Sequence, residues 1–204
     1  MYGAGDKEPM GKITNDFVVN IATANGTGSQ SSNLILMQSM FEMGVPVSGK
    51  NLFPSNISGL PTWFIIRASE RGYQAPGDQT NIQVLMNKDT WIEDLEKLSP
   101  GSIVVYNQDV KLPVDREDCT LLGMPMTKMA RAINPKLARL MANMYYVGAL
   151  AQILDIDDSA IEKSLNAQFK GKDKAIEMNI RAINEGKEYA CLLYTSPSPR
   201  DQRG

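Results

Sequence analysis

The stretch from residue 17 to residue 67 limits the possible folds more than any other part of the chain. It opens as an apolar run at residues 17–22 (FVVNIA), turns through Asn25, Gly26, Thr27, Gly28, Ser29 and Gln30, and enters a helical pattern. The helix is predicted over residues 29–43, with Leu34, Met37, Met40 and Phe41 at helical spacing and Gly44 placed to stop it. A strand, a glycine turn and a helix in that order bring bare backbone N–H groups to a helix N-terminus, where an anion can be met. A long uncharged loop at residues 51–63 (NLFPSNISGLPTW) follows, and loops of that kind are usually packed or functional.

The rest of the chain extends the alternation. Short strands are predicted at residues 45–47, 62–68, 82–86, 102–106 and 119–122, with a helix over residues 87–98 that carries Trp91 and Leu95 on one side. After Pro125 the character changes. Leu137, Leu140, Met141, Met144, Val147, Ala151 and Leu154 form a long apolar helical face, and residues 157–169 and 172–187 read as two further helices with charged outer faces. The fold class expected is α/β: a three-layer domain with a mainly parallel sheet, a glycine turn after the first strand and a helical C-terminal portion. Residues 1–16 read as a flexible entry segment and residues 17–190 as one domain.

Composition removes several classes of function. The net charge of −2 comes without a basic stripe, which argues against a nucleic-acid partner. Histidine is absent, and with it the commonest general base, the commonest metal ligand and any Ser/His or Cys/His pair. Two cysteines, Cys119 and Cys191, build neither a disulfide framework nor a four-cysteine iron–sulfur site. No signal peptide is read at the start, and the most apolar stretch, residues 141–154, is too short to span a bilayer. The expectation is a soluble, cytoplasmic chain with no membrane partner.

Each candidate site has a plainer reading beside it. The glycine turn lacks a third fingerprint glycine, having Ser31 there, and no acidic residue follows the next strand to hold a ribose. A tight turn capped by Ser29, and a cradle for an anionic or thioester-bearing group, both stay open. In the loop, Asn51, Ser55 and Asn56 either satisfy neighbouring backbone or line an interface. Trp63 reads as a core or interface anchor and Lys50 as solvated. The methionines 124, 126, 129, 141 and 144 read as adaptable core packing, Cys119 as an inert buried thiol, and Asp155, Asp157 and Asp158 as helix-entry caps rather than metal ligands. No catalytic residue and no metal ligand is assigned.

The block TANGTGSQSSN, followed by VPVSGKNLFPSNISGLPTWFIIR, resembles the gamma domain that begins the alpha subunit of 2-oxoacid:ferredoxin oxidoreductases, most closely the 2-oxoglutarate type. The resemblance extends more weakly to about residue 190. It implies a complex that oxidatively decarboxylates a 2-oxoacid with coenzyme A, using thiamine diphosphate, magnesium and iron–sulfur clusters, with a beta subunit and ferredoxin as partners. None of those cofactors is expected on this chain alone. Gly26, Thr27, Gly28, Ser29 and Gln30 fall on the family's glycine turn, and the resemblance implies that they bind a cofactor. Asn51, Pro54, Ser55, Asn56, Gly59, Thr62 and Trp63 fall on its loop, and the resemblance implies that they line an interface or a ligand. The resemblance further implies that the catalytic segment follows the gamma domain, so this piece alone is expected to be inactive. The alternative is a free-standing nucleotide- or coenzyme-A-binding module or an assembly scaffold. Residues 191–204 read as a translated sequencing-adapter read-through rather than a natural terminus, and are set aside from fold reasoning.

Overall fold

The computed structural model describes residues 16–52, 61–69 and 79–195, the side chains as far as Leu193. Six strands form one sheet: β1 (Asp16–Ala24), β2 (Val47–Leu52), β3 (Pro61–Ser69), β4 (Ile82–Leu85), β5 (Ile103–Asn107) and β6 (Thr120–Met124). Their order across the sheet is β2-β3-β1-β4-β5-β6. β1, β4, β5 and β6 run parallel, while β3 pairs antiparallel with both β1 and β2. Five strands therefore share one direction and β3 opposes them, which is the mainly parallel sheet expected. Among the described residues six α-helices accompany it: α1 (Ser29–Glu42), α2 (Trp91–Glu96), α3 (Met126–Ile133), α4 (Ala138–Ile153), α5 (Asp158–Gln168) and α6 (Asp173–Thr195).

The two faces of the sheet are covered unequally. Phe17, Val19 and Ile21 of β1, with Phe64, Ile66 and Ala68 of β3, enter the large core shared with α1, α3, α4, α5 and α6. Ala22, Leu85 and Val104 point the other way, into a smaller cluster under Leu95, Leu98 and Leu112, with Trp63 and Trp91 at its margin. Strands buried on both faces read as near-continuous apolar runs, which is why residues 17–22 show no alternation. The methionines at 124, 126, 141 and 144 are buried in the large core and Met129 packs against it, as the core reading expected.

Helix α4 is the hub of the helical layer. Residues 141–151 are all buried, the polar Asn143, Tyr145 and Tyr146 among them. Full burial of one Met or Leu side chain is worth about 1.5–3 kcal/mol, so this helix alone anchors much of the layer. It meets α6 at two glycines. A Cβ on Gly148 would sit 2.1 Å from the Ile183 carbonyl oxygen, and one on Gly186 would sit 2.5 Å from that of Tyr145.

Several expectations need correction. The second strand occupies Val47–Leu52 rather than residues 45–47, so Asn51 belongs to a strand and not to the loop. Pairing with β3, from Val47 opposite Ala68 to Leu52 opposite Trp63, overrides the weak strand propensity of Ser48, Gly49 and Lys50. Gly49 also makes room there, because a Cβ would meet Met37 Sδ at 2.6 Å and Phe64 Cζ at 2.7 Å. The helix expected over residues 87–98 shortens to α2, because Asn87 and Thr90 are engaged in turn and side-chain hydrogen bonds. Leu137, the α4 N-cap, and Leu140 lie at the exposed start of the apolar face, at 36% and 47% exposure. Cys119 is half-buried, and desolvation pushes its thiol up. Asp157 is the α5 N-cap but makes no side-chain cap bond, and Asp158 pairs with Lys187 at 2.6 Å. Helix α6 continues past residue 190 to Thr195. Among the described residues no helix is long and apolar enough to cross a membrane.

Candidate functional site

The turn after β1 is built from backbone that glycine alone adopts without strain. Gly26 has φ 81° and Gly28 φ 75°, both in the left-handed region. Gly28, not Ser29, is the N-cap of α1; it has no side chain to cap with, and no acidic residue stands in the first turn. Among the described residues the first-turn N–H groups of α1 therefore have no capping side chain, at the positive end of a 14-residue helix. The expected Ser29 cap fails because the Ser29 hydroxyl is used elsewhere. It bonds to Thr23 Oγ1 at 2.9 Å, and Thr23 Oγ1 also meets Thr62 Oγ1 at 3.2 Å.

A cavity of about 290 Å³ opens at this point. The turn and α1 supply Asn25, Gly26, Gly28, Ser29, Gln30, Ser31 and Asn33; β2 supplies Asn51; β3 supplies Thr62, Trp63 and Phe64. Seven of the sequence-predicted residues thus line one space: Gly26, Gly28, Ser29, Gln30, Asn51, Thr62 and Trp63. Thr27 does not line it, since its hydroxyl donates back to the Ala24 carbonyl at 2.8 Å. Pro54, Ser55, Asn56 and Gly59 lie outside the described residues.

Neither a carboxylate nor a cation is among the described residues lining the cavity; its polar groups are amides, hydroxyls and backbone. Such a lining can receive an anion through neutral donors, while giving no group suited to move a proton at neutral pH. Among the described residues no three His, Cys, Asp or Glu side chains converge as they would to hold a metal ion.

Distant residues hold the lining in place. Asn143 Nδ2 on α4 donates to the Thr27 carbonyl at 2.8 Å, fastening the turn to the helical layer. Asn87 Nδ2 donates to the Thr23 carbonyl at 2.7 Å. Tyr146 donates its hydroxyl to Asn33 Oδ1 at 2.7 Å. The Trp63 indole donates to Asp94 Oδ1 at 2.9 Å, and Thr90 donates to Asp94 Oδ2 at 2.8 Å. Burial pushes the Asp94 carboxyl above its ordinary value, opposed by those two hydrogen bonds and by Lys97. Sequence reading missed Asn33, Asn87, Asn143 and Tyr146. The one signal available was the presence of Asn143, Tyr145 and Tyr146 inside the most apolar helical stretch.

A second, apolar cleft of about 190 Å³ adjoins the first, sharing Gly28 and Ser31 and lined by Leu140, Met141, Met144 and Phe169 among others. Leu140 packs directly over Gly28, where a Cβ would come within 2.6 Å of its Cδ2.

Comparison with known proteins gives this arrangement a context. A model of the pyruvate ferredoxin/flavodoxin oxidoreductase family matches residues 18–189. The chain is 21% identical over 229 aligned positions to subunit alpha of 2-oxoacid:ferredoxin oxidoreductase 2 of Aeropyrum pernix, covering 91% of this chain and 35% of that one. It spans about a third of the length of the curated relatives it matches. Among solved structures it superposes on the 2-oxoglutarate:ferredoxin oxidoreductase of Magnetococcus marinus, with 2-oxoglutarate, coenzyme A and succinyl-CoA bound. The TM-score is 0.81 at 24% identity, over 91% of this chain and 32% of that one. It also superposes on the keto/oxoacid ferredoxin oxidoreductase gamma subunit of Geobacter sulfurreducens, with a TM-score of 0.71 at 15% identity, over 86% of this chain and 98% of that subunit.

Proposed function

Because the chain belongs to the pyruvate ferredoxin/flavodoxin oxidoreductase family, we propose that it serves as the gamma domain of a 2-oxoacid:ferredoxin oxidoreductase, with 2-oxoglutarate as the 2-oxoacid. The reaction joins the acyl group of the 2-oxoacid to the coenzyme A sulfur, with loss of carbon dioxide and one proton. Two electrons pass to two ferredoxins. Thiamine diphosphate, when bound elsewhere in the complex, supplies the carbon nucleophile for decarboxylation, and iron–sulfur clusters carry the electrons. Among the described residues no cluster of cysteines or carboxylates converges as a metal or iron–sulfur site would need, and no chemical step is assigned to this chain.

Its own contribution is to bind and orient. One observation supports this reading: among the described residues, the cavity at the glycine turn is lined by the start of α1, whose N-cap Gly28 has no side chain, and by neutral polar side chains with no carboxylate. A phosphate-bearing ligand is the chemistry such a lining receives, and coenzyme A is the phosphate-bearing reactant of the proposed reaction. Gly26, Gly28, Ser29 and Gln30 are the proposed ligand contacts. Asn51, Thr62 and Trp63 form the opposite wall.

The test is reconstitution. The chain is produced alone, and then joined to the catalytic segment of a long-chain relative together with a beta subunit. Coenzyme-A-dependent reduction of ferredoxin by 2-oxoglutarate is assayed in each. Turnover is expected in the reconstituted complex and not in the chain alone, and failure of the chain to join any beta subunit would refute the reading. A second reading, a separate gamma subunit, is favoured by the near-complete coverage of the Geobacter sulfurreducens subunit. It predicts turnover when the uncut chain is mixed with separately made catalytic subunits.

A further inference from the structure

We infer that Tyr146 is a positioning residue for ligand recognition: it fixes the Asn33 side chain so that the amide nitrogen, not the oxygen, faces the cavity. The inference rests on the anion-binding reading of that cavity and adds the device that sets its preference for a negatively charged ligand.

An asparagine side chain is ambivalent. One end accepts hydrogen bonds and the other donates, and a half-turn about its last torsion exchanges them. At the wall of an anion cavity that choice is decisive, because the donor end attracts phosphate and the acceptor end repels it. Nothing on α1 makes the choice for Asn33. The residue is 2% exposed and lines the cavity on the same helical face as Ser29 and Gln30. The one hydrogen bond of its side chain among the described residues is with Tyr146, across 113 positions of sequence.

Tyr146 can act as a fixed donor because of where α4 places it. Its side chain is fully buried, and burial holds the phenol far above its ordinary value, so the hydroxyl keeps its proton throughout the physiological range. The 2.7 Å bond to Asn33 Oδ1 claims the acceptor end of the amide. Asn33 Nδ2 is then left without a protein acceptor among the described residues, at the wall of a cavity whose other polar groups include the first-turn N–H groups of α1. The arrangement adds a directed donor to that array without adding a formal charge. A lysine in its place would bind many anions; a fixed amide asks for an acceptor atom at one position.

A double-mutant cycle reads this directly. Coenzyme A is titrated calorimetrically into the full chain and into the variants Tyr146→Phe, Asn33→Ala and Tyr146→Phe/Asn33→Ala, with the melting temperature of each recorded. Asn33→Ala is expected to weaken binding about tenfold, the scale of one hydrogen bond to a charged group. Tyr146→Phe should weaken it about three- to fivefold, because the freed amide spends part of its time with oxygen toward the ligand. In the Asn33→Ala background, Tyr146→Phe should have no further effect on affinity, although it can still lower the melting temperature. A purely structural tyrosine would instead cost the same affinity in both backgrounds, and that result overturns the inference. So does unchanged binding by Tyr146→Phe.

Asn33→Asp guards against a Tyr146→Phe chain that does not fold. Its carboxylate still accepts from Tyr146 and turns a second oxygen to the cavity, so binding should fall more than a hundredfold; retained affinity overturns the inference. If the unsubstituted chain takes up no coenzyme A while the reconstituted complex turns over, the ligand reading of this cavity falls, and the inference with it. If the unsubstituted chain binds and the cycle shows no coupling, the ligand reading stands and only the role of Tyr146 is lost.

Discussion

Replacing Gly148 with alanine tests whether the α4–α6 contact is set by backbone meeting backbone. On an exposed helix the change should stabilise, since alanine is favoured over glycine in a helix interior by about 1 kcal/mol. Here the added methyl would lie 2.1 Å from the Ile183 oxygen, 2.9 Å from the Ile183 carbonyl carbon and 3.0 Å from the Lys187 nitrogen. Carbon and oxygen without a formal bond rest at about 3.3 Å or more, so the helices must part by about 1 Å. A gap of that size forfeits a quarter to a half of the dispersion energy of each contact across it. The contacts at stake are those of Tyr145, Ala182 and Ile183, all essentially fully buried. Overpacking of this kind costs about 1–3 kcal/mol and more where backbone is the obstacle, so a net loss of about 3 kcal/mol is expected after the propensity gain. For a chain of 204 residues that lowers the melting temperature by about 6–12 °C. Urea denaturation followed by circular dichroism measures it. Gly186→Ala should cost a similar amount, because its methyl would meet the Tyr145 oxygen at 2.5 Å. The double variant should lose less than the sum, since one separation of the helices relieves both clashes. A Gly148→Ala chain more stable than the unsubstituted one would refute the packing argument.

Three other perturbations probe the site. Gly28→Ala places a side chain at φ 75° and against Leu140, so stability should drop by about 2 kcal/mol and coenzyme A binding should weaken with it, both read in one thermal-shift titration. Asn143→Ala leaves the Thr27 carbonyl without its 2.8 Å donor; a loss of about 2 kcal/mol is expected, with faster amide exchange at residues 25–28. Asp94→Asn keeps an oxygen for the Trp63 indole and removes a charge that burial disfavours, so at pH 7 it should be neutral or stabilising by less than about 1 kcal/mol. Because the folded-state carboxyl titrates above 3.8, the native protein holds that proton more tightly than the unfolded chain. The stability it contributes is complete below about pH 4 and is lost as pH rises through the folded value, so the advantage of Asp94→Asn should grow over that interval in denaturation series.

The parts of this fold that could be read from sequence are those whose cause is local. The apolar run of β1, the two left-handed glycines and the helical spacing of α1 each act within a few residues, and the structure follows them closely. β2 was misplaced because its reason for existing is β3: Ser48, Gly49 and Lys50 form a strand by pairing with Arg67, Ile66 and Ile65, not by preference. α3 was missed because residues 126–133 form a single short segment after Pro125, with only Met126 and Ala130 buried to mark its face. Leu137 and Leu140 share the apolar helical spacing of Met141 and Met144, yet they border the open cleft beside Gly28.

The candidate site divides along the same line. The glycine turn and the Thr62–Trp63 step announce themselves, but the groups that give the cavity its character are fixed from far away. Asn143 reaches back 116 positions to the turn, Tyr146 reaches 113 to Asn33, and Asn87 reaches 64 to Thr23. In a single sequence, an asparagine or tyrosine within an apolar helix looks like an interruption of the buried face. A buried polar group that is not hydrogen-bonded costs too much to keep, so each such interruption implies a partner, though not where that partner lies. All three partners lie on β1 or on the turn and helix that follow it. Asn87, Asn143 and Tyr146 therefore all fasten one early segment, and the helical layer built around α4 acts as the frame that holds the glycine turn and the start of α1 in place.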